Sequence, residues 1–227
     1  MSAVVPRAVV VGAAGGIGAA LAAALEARGE AVLQLGRRTD PFLDLLDEVS
    51  IAAAAGVAGT GLTLVIDATG FLHDAHYRPE KAIREIDPVH MAHSFAVNAI
   101  GPALLMKHFL PRLARDRRAV FATLSARVGS ISDNRLGGWV SYRAAKAALN
   151  QIVRTASIEL ARTHRQAVLV ALHPGTVETG LSAPFSRAGL EVQEPSAAAA
   201  RLLSVIDALT PDRTGLLIDH RGETVAP

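Results

Sequence analysis

The sequence predicts an α/β fold in which about seven parallel strands form one doubly wound sheet, with helices on both faces. Strand-like apolar runs alternate with helix-like stretches along the whole chain, which is the pattern of βαβ units. Half of the 227 residues are hydrophobic but only 4% are aromatic, as expected where Ala-rich helices pack closely on a sheet. This length suits one α/β domain, so we expect residues 1–227 to form a single domain.

The first predicted elements surround a glycine cluster. Ala8–Val11 is a short apolar run that predicts a strand, and Gly15–Arg28 predicts a helix that stops at Gly29. The next elements are a strand at Ala31–Leu35, a short third strand at Phe42–Leu45 and a helix at Asp47–Ala55.

The second part of the chain continues the alternation. Leu62–Ala68 is apolar and β-branched, which favours a buried strand, and Pro88–Arg115 predicts a long helix. The stretch Trp139–His173 contains neither Gly nor Pro and should open with another helix. The other predicted elements are strands at Ala119–Leu124, Ala167–Leu172 and Gly215–Asp219, and a helix at Pro195–Leu209.

Composition excludes several classes of protein. The chain has no Cys, which excludes disulfides and thiolate chemistry, and its formal charge is only +2 with two basic doublets, too few for a nucleic-acid surface. The N-terminal apolar run is too short for a signal peptide or a membrane span, so we expect a cytoplasmic protein without membrane contact. The histidines match no tight metal motif, so we expect no metal site; they include His73, His76, His90, His93 and His108.

Tyr142 and Lys146 are the strongest candidates for catalysis. Their four-residue spacing puts both side chains on one face of the predicted helix. A tyrosine that exchanges protons near pH 7 needs its pKa lowered by about 3 units, and an ammonium about 4 Å away could supply that effect. Such a pair suits proton transfer to or from an alcohol or carbonyl oxygen.

The glycine-rich segment Gly12–Gly18 joins the first predicted strand to the first helix. Backbone N–H groups and the positive end of a helix can bind a pyrophosphate at such a junction, and glycine lets the ligand approach the backbone. A tight strand-to-helix turn without a ligand is the simpler alternative. The βαβ context favours nucleotide binding.

The spacing Gly-x-x-x-Gly-x-Gly, together with Tyr142-x-x-x-Lys146, resembles the short-chain dehydrogenase/reductase family, whose domain is a single Rossmann-type sheet. Asp67–Gly70 stands where that family has Asn-Asn-Ala-Gly, and Val97–Pro102 resembles its Asn-x-x-Gly-Pro segment. His173–Thr179 is similar to the Pro-Gly stretch that closes over the nicotinamide. The segments Ser125–Ile131 and Asn134–Trp139 resemble the C-factor and sniffer-like carbonyl reductase subgroup.

The resemblance implies roles for individual residues. Tyr142 would be the acid/base, Lys146 would lower its pKa and hold the nicotinamide ribose, and Asn98 would anchor a water molecule or bond to backbone at a helix kink. The usual catalytic Ser position is occupied by Ala126, so Ser125 is favoured, Ser130 is the alternative, or no Ser contributes. The implied cofactor contacts are Gly12, Gly16, Ile17, Gly18, Ala68, Thr69, Gly70, Tyr142, Lys146, Pro174, Gly175, Val177 and Thr179.

The end of the second predicted strand bears on cofactor choice. Arg37 and Arg38 stand there without an acidic residue that would bind ribose hydroxyls, and a guanidinium suits a 2′-phosphate. We therefore expect NADP(H) to be favoured over NAD(H), the alternative being a solvated Arg pair. By resemblance Asp44 and Leu45 would flank the adenine, although Asp44 could equally be a helix cap.

These observations predict an NADP(H)-dependent oxidoreductase that moves a hydride between nicotinamide and a small carbonyl or alcohol substrate. The resemblance also implies a homodimer or homotetramer. The alternative is a nucleotide-binding signalling or scaffold protein with low turnover on the same fold, motivated by the displaced Ser. Trp139 would either wall the substrate cleft or pack at the helix start.

Overall fold

A computed structural model describes residues 7–182 and 192–227. The strands are β1 Ala8–Val11, β2 Val32–Leu35, β3 Leu64–Asp67, β4 Ala119–Leu124, β5 Ala167–His173, β6 Thr176–Val177, β7 Val192–Gln193 and β8 Leu217–Asp219. A six-stranded parallel sheet has the order β2-β1-β3-β4-β5-β8, and β6 and β7 form a separate parallel pair. The prediction of a doubly wound parallel sheet is therefore confirmed.

Helices cover both faces of the sheet, because alternate strand residues point into two separate hydrophobic clusters. The helices are α1 Gly16–Ala27, α2 Glu48–Ala58, α3 Pro88–Phe95, α4 Gly101–Phe109, α5 Val140–Leu160 and α6 Pro195–Ala208. Val9 lies in the cluster under α2, α4 and α5, whereas Val10 lies in the cluster under α1 and α6.

The predicted third strand at Phe42–Leu45 is wrong. Only an isolated bridge joins Gly36 to Phe42, and the Leu43 N–H donates back to the Gly36 carbonyl at 3.0 Å. This turn sends the chain directly into α2, with Leu43 and Leu45 buried below it. The main sheet consequently has six strands where about seven were expected.

The long helix predicted from Pro88 runs to Arg112, three residues short of the predicted end. A π-helical turn at Ala96–Ile100 joins α3 to α4 within it. By length and composition this helix could cross a membrane, but its apolar residues Leu105 and Phe109 are buried against the sheet. Burial inside the fold accounts for its hydropathy.

Parallel pairing brings the carboxyl ends of all the main strands to one edge of the sheet. The loops that follow β1, β2, β3, β4 and β5 therefore lie beside one another. Ligands of open α/β sheets bind in the crevice at this edge.

Candidate active site

Two cavities lie at the carboxyl edge of the sheet. The first has a volume of about 410 Å³ and borders the loops after β1, β2 and β3. The second, of about 610 Å³, borders the loops after β4 and β5 and the start of α5. The site predicted from sequence is thus divided between these two cavities.

Most of the predicted site residues line one of these cavities. The first cavity is lined by Gly12, Arg37, Arg38, Asp44, Leu45, Ala68, Thr69 and Gly70. The second is lined by Ile17, Ser125, Tyr142, Pro174, Gly175, Val177 and Thr179. Four predicted residues, namely Gly16, Gly18, Asn98 and Lys146, line neither cavity; Gly16 is exposed, and the other three are buried.

The turn between β1 and α1 has the geometry of an anion cradle. Gly12 has a φ of +80°, and a Cβ at Gly18 would overlap the Gly12 carbonyl oxygen. A Cβ at Gly16 would lie 2.8 Å from Cγ2 of Thr179. Because α1 has no side-chain cap, the N–H groups of its first turn remain available to an anion.

The first cavity combines two cations with one acid. Arg37 and Arg38 are exposed on its wall, and Asp44 is the only acidic residue among the described lining residues. The Asp44 carboxylate accepts the Leu46 N–H at 3.0 Å, whereas Asp47 caps α2 by accepting the Val49 N–H at 3.0 Å. The helix-cap alternative for Asp44 is therefore wrong.

Tyr142 and Lys146 lie on one face of α5, as predicted, and both are buried. The Lys146 Nζ lies 5.8 Å from the centroid of the Tyr142 ring and donates to the Leu124 carbonyl at 2.9 Å. Tyr142 faces the second cavity, while Lys146 lies beneath it against β4. The end of the strand thus holds the ammonium under the phenol.

Burial dominates the electrostatics of this pair. It raises the pKa of Tyr142 from 10.0 to about 12 and lowers the pKa of Lys146 from 10.5 to about 8, the latter partly offset by attraction to Asp67. The predicted lowering of the tyrosine pKa is therefore not found in the protein alone, because burial disfavours the charged phenolate. Tyr142 is a protonated phenol at neutral pH, the form that donates a proton.

Asn98 lies in the π-helical turn and is fully buried. Its Oδ1 accepts the Phe71 N–H at 3.0 Å, and its Nδ2 donates to the Phe71 carbonyl at 2.8 Å and to the Ser94 Oγ at 3.3 Å. These contacts match the alternative in which Asn98 forms hydrogen bonds with the backbone at a helix kink. Asn98 ties the kinked helix to the loop after β3.

Of the two candidate serines, only Ser125 lines the second cavity. Its hydroxyl donates to the Asn150 Oδ1 at 2.7 Å, so its proton is directed into α5. The Ser130 Oγ accepts the Asp133 N–H at 3.1 Å within its own loop. Sequence reasoning missed Asn150, although its four-residue spacing from Lys146 places it on the same helical face.

Glu80 is a second residue that sequence reasoning missed. Helix α5 starts after Trp139, which has a φ of 53° and provides no side-chain cap. The Glu80 carboxylate instead accepts hydrogen bonds from the Ser141 N–H, at 3.2 Å, and from the Ser141 hydroxyl, while its carbonyl accepts the Trp139 N–H at 2.5 Å. Glu80 is thus a remote cap for the helix that carries Tyr142.

Both interpretations of Trp139 apply, since it lines the second cavity and also precedes α5. Its ring lies edge-on to that of Tyr142 at a centroid distance of 6.3 Å.

Replacement of Glu80 by Ala is expected to destabilise the protein by about 2–3 kcal/mol, because two charge-assisted hydrogen bonds are lost in a buried position. For a chain of this size that corresponds to a fall in melting temperature of about 5–10 °C. Glu85→Ala removes a nearby exposed carboxylate that accepts the Lys81 N–H at 2.8 Å but forms no hydrogen bond to α5 among the described contacts, and it serves as the control. Equal melting temperatures for the two variants would show that capping by Glu80 contributes little to the stability of the protein.

The chain is similar to several known proteins. A family model described as Enoyl-(Acyl carrier protein) reductase matches residues 43–208. The C-signal protein of Myxococcus xanthus is 35% identical over 145 residues, which cover 63% of this chain and 82% of the relative. The 1-hydroxy-2-glutathionyl-2-methyl-3-butene dehydrogenase of Rhodococcus sp. strain AD45 is 30% identical over 218 residues, covering 91% of this chain and 92% of the relative.

Solved structures extend the similarity to the whole chain. The NADPH-bound carbonyl reductase from chicken fatty liver is 26% identical with a TM-score of 0.83, and the match covers 100% of this chain and 96% of that protein.

Proposed function

Since this chain belongs to the short-chain dehydrogenase/reductase family, we propose that it is an NADPH-dependent carbonyl reductase that converts a carbonyl compound to the alcohol. The observation that carries this proposal is the buried Tyr142 phenol at the wall of the larger cavity, with Lys146 beneath it and the glycine cradle beside it. The similarity to an NADPH-bound carbonyl reductase supports it.

The residues of the first cavity fit a nicotinamide dinucleotide. The cradle formed by Gly12 and Gly18 keeps the N-terminus of α1 open to a pyrophosphate, and Arg37 and Arg38 suit a 2′-phosphate. Ile17, Thr179 and the Pro174–Val177 segment would contact the nicotinamide half from the second cavity. When bound, the reduced cofactor supplies the hydride for the carbonyl carbon.

The proton for the substrate oxygen comes from Tyr142, and the side chains around it support this transfer. The phenol donates its proton to the substrate oxygen as the C=O π bond breaks, so that the product is the neutral alcohol. Lys146 lies close enough to favour the phenolate that remains, and Asn98 holds the loop and kinked helix beside it. Reprotonation from solvent restores the phenol.

Ser125 is our candidate for orienting the substrate oxygen. Its hydroxyl borders the cavity but is held by Asn150, so it must turn away from Asn150 to donate to a carbonyl. In its present orientation the Ser125 oxygen offers lone pairs, which would accept a hydrogen bond from the hydroxyl of an alcohol.

A nucleotide-binding signalling protein with low turnover is a second candidate. It is favoured by the orientation of the Ser125 hydroxyl into α5 and by the similarity to C-signal. The same features that bind the cofactor would be kept, while turnover would be slow.

The two functions are separated by measuring NADPH oxidation with a panel of aldehydes and ketones. A carbonyl reductase gives substrate-dependent oxidation at rates typical of enzymes, about 1–10³ s⁻¹. Tight nucleotide binding without substrate-dependent oxidation across the panel would support the signalling candidate.

NADPH is expected to bind about 10- to 100-fold more tightly than NADH, because a charge-assisted contact from Arg37 or Arg38 to the 2′-phosphate contributes about 1.5–3 kcal/mol. Fluorescence titration of both nucleotides measures this preference. Arg37→Ala and Arg38→Ala should reduce it, whereas Arg84→Ala, an exposed Arg outside both cavities, should not. Equal affinities of the parent protein for the two nucleotides would contradict NADP(H) preference.

We also propose that the protein is located in the cytoplasm and that it assembles as a homodimer or homotetramer. Gel filtration with light scattering would measure the assembly state.

A further inference from the structure

The second cavity has an apolar body and an unbalanced positive charge. Its apolar lining includes Ile17, Leu72, Val128, Leu136, Trp139 and Val177. Its charged lining consists of three arginines and one acid among the residues that the structure describes, namely Arg127, Arg135, Arg143 and Asp133. Burial lowers the pKa of His173, which also lines the cavity, to about 4, so this imidazole is neutral at pH 7.

One of the three arginines is neutralised by acids. Arg127 forms ion pairs with Asp219 at 3.0 Å and with Asp133 at 3.4 Å. The positive charge of Arg127 is therefore balanced by carboxylates of the protein itself. The excess positive charge of the cavity belongs to Arg135 and Arg143.

Arg143 directly follows Tyr142 and is held only by neutral groups among the described contacts. Its guanidinium donates to the carbonyls of Gly138 at 3.0 Å, Val128 at 3.2 Å and Gly137 at 3.2 Å. These bonds use three of its five N–H groups, so two remain for a ligand. Burial lowers the pKa of Arg143, but an arginine remains charged at neutral pH.

The loop that holds Arg143 is strained at Trp139. Gly137, Gly138 and Trp139 have φ values of 64°, 65° and 53°, so three consecutive residues are left-handed. This conformation is unfavourable for a tryptophan and is retained where the surroundings enforce it, often at functional sites. Here it turns two carbonyls onto the guanidinium, which fixes a cation beside Tyr142 before any ligand arrives.

We propose that the substrate is a carbonyl compound carrying a carboxylate, and that Arg143, assisted by the exposed Arg135, binds this carboxylate while Tyr142 acts on the carbonyl oxygen. Two spare N–H groups on one planar guanidinium match the geometry of a carboxylate. The apolar lining accommodates the carbon skeleton between the two polar ends. This inference rests on the proposed carbonyl reduction and names its substrate class.

The test compares each acid with its neutral ester on the NADPH-loaded protein. The two pairs are 4-carboxybenzaldehyde with methyl 4-formylbenzoate, and 5-oxohexanoate with its methyl ester. The acid should have the higher kcat/KM by about 10- to 100-fold in at least one pair, the range for a charge-assisted contact. An ester that equals or exceeds its acid in both pairs overturns the inference and leaves carbonyl reduction in place.

Variants assign the effect to the arginines. Arg143→Met should bring the acid-to-ester ratio close to one, and Arg135→Met should lower it about 3-fold, as expected for an exposed charge pair. Among the described residues, the exposed Arg135 side chain donates no hydrogen bond to a backbone carbonyl. Its variant therefore tests the effect of positive charge on carboxylate binding, even if loss of Arg143 disturbs the loop. Arg154→Met, an exposed Arg on the same helix but outside the cavity, should keep the parent ratio. An unchanged ratio in both cavity variants overturns the inference.

If the parent reduces none of the four compounds, the panel of aldehydes and ketones decides the proposed reductase function, and binding decides the carboxylate site. Calorimetry of 4-(hydroxymethyl)benzoate against benzyl alcohol, with the NADP⁺-loaded protein, then gives the result. Tighter binding of the acid that is lost in Arg143→Met sustains the carboxylate site, and equal binding of the two alcohols overturns it.

Discussion

Replacement of Tyr142 by Phe is expected to lower the rate of carbonyl reduction by about 10²- to 10⁴-fold, the usual contribution of a positioned acid or base. Tyr142 lines the larger cavity and, with its pKa raised to about 12 by burial, carries its proton at pH 7. Phenylalanine keeps the ring packed beside Trp139 but cannot donate a proton. Nucleotide affinity and melting temperature should therefore change little.

Tyr77→Phe is the matched control, because the chain has two tyrosines and Tyr77 lies outside both cavities. Its ring stacks on His90 at a centroid distance of 4.8 Å, a contact that phenylalanine retains. Steady-state rates of parent and both variants on one accepted substrate supply the measurement. If Tyr142→Phe retains more than about a tenth of the parent rate, less than about 1.4 kcal/mol of the barrier depends on the phenol, and our assignment is wrong.

Lys146→Met is expected to lose most activity and yet to stabilise the nucleotide-free protein. Burial lowers the Lys146 pKa from 10.5 to about 8, so holding the ammonium in the fold at pH 7 is unfavourable by about 3 kcal/mol. Methionine removes this penalty and loses one hydrogen bond to the Leu124 carbonyl, worth about 1 kcal/mol. The net gain of about 2 kcal/mol should raise the melting temperature by about 4–8 °C.

The stability gain of Lys146→Met over the parent should fall as the pH rises. Between about pH 8 and 10.5 the unfolded chain still binds the lysine proton while the folded chain has lost it, so parent stability rises with pH relative to the variant. The gain should be largest below about pH 8 and disappear as the pH approaches 10.5. Lys81→Met replaces an exposed lysine and should show neither effect. A Lys146→Met variant less stable than the parent at pH 7 would show that attraction to Asp67 outweighs burial.

Much of the fold follows from local sequence patterns. Four-residue apolar runs such as Ala8–Val11 and the β-branched run around Leu64–Asp67 can be buried only as central strands, and both are strands in the structure. The prediction of a strand at Phe42–Leu45 was wrong because Leu43 and Leu45 are buried by a turn, and a run this short does not distinguish a strand from a turn.

The sequence by itself determined which residue types stand at each strand-to-helix junction and on one face of the catalytic helix, because the spacings Gly12–Gly18 and Tyr142–Lys146 are local properties. Tertiary structure alone decided what each group does there. Desolvation raises the Tyr142 pKa against expectation, and Glu80 caps α5 from 61 residues away. Burial and contacts between distant segments depend on the packed fold, whose geometry no local spacing encodes.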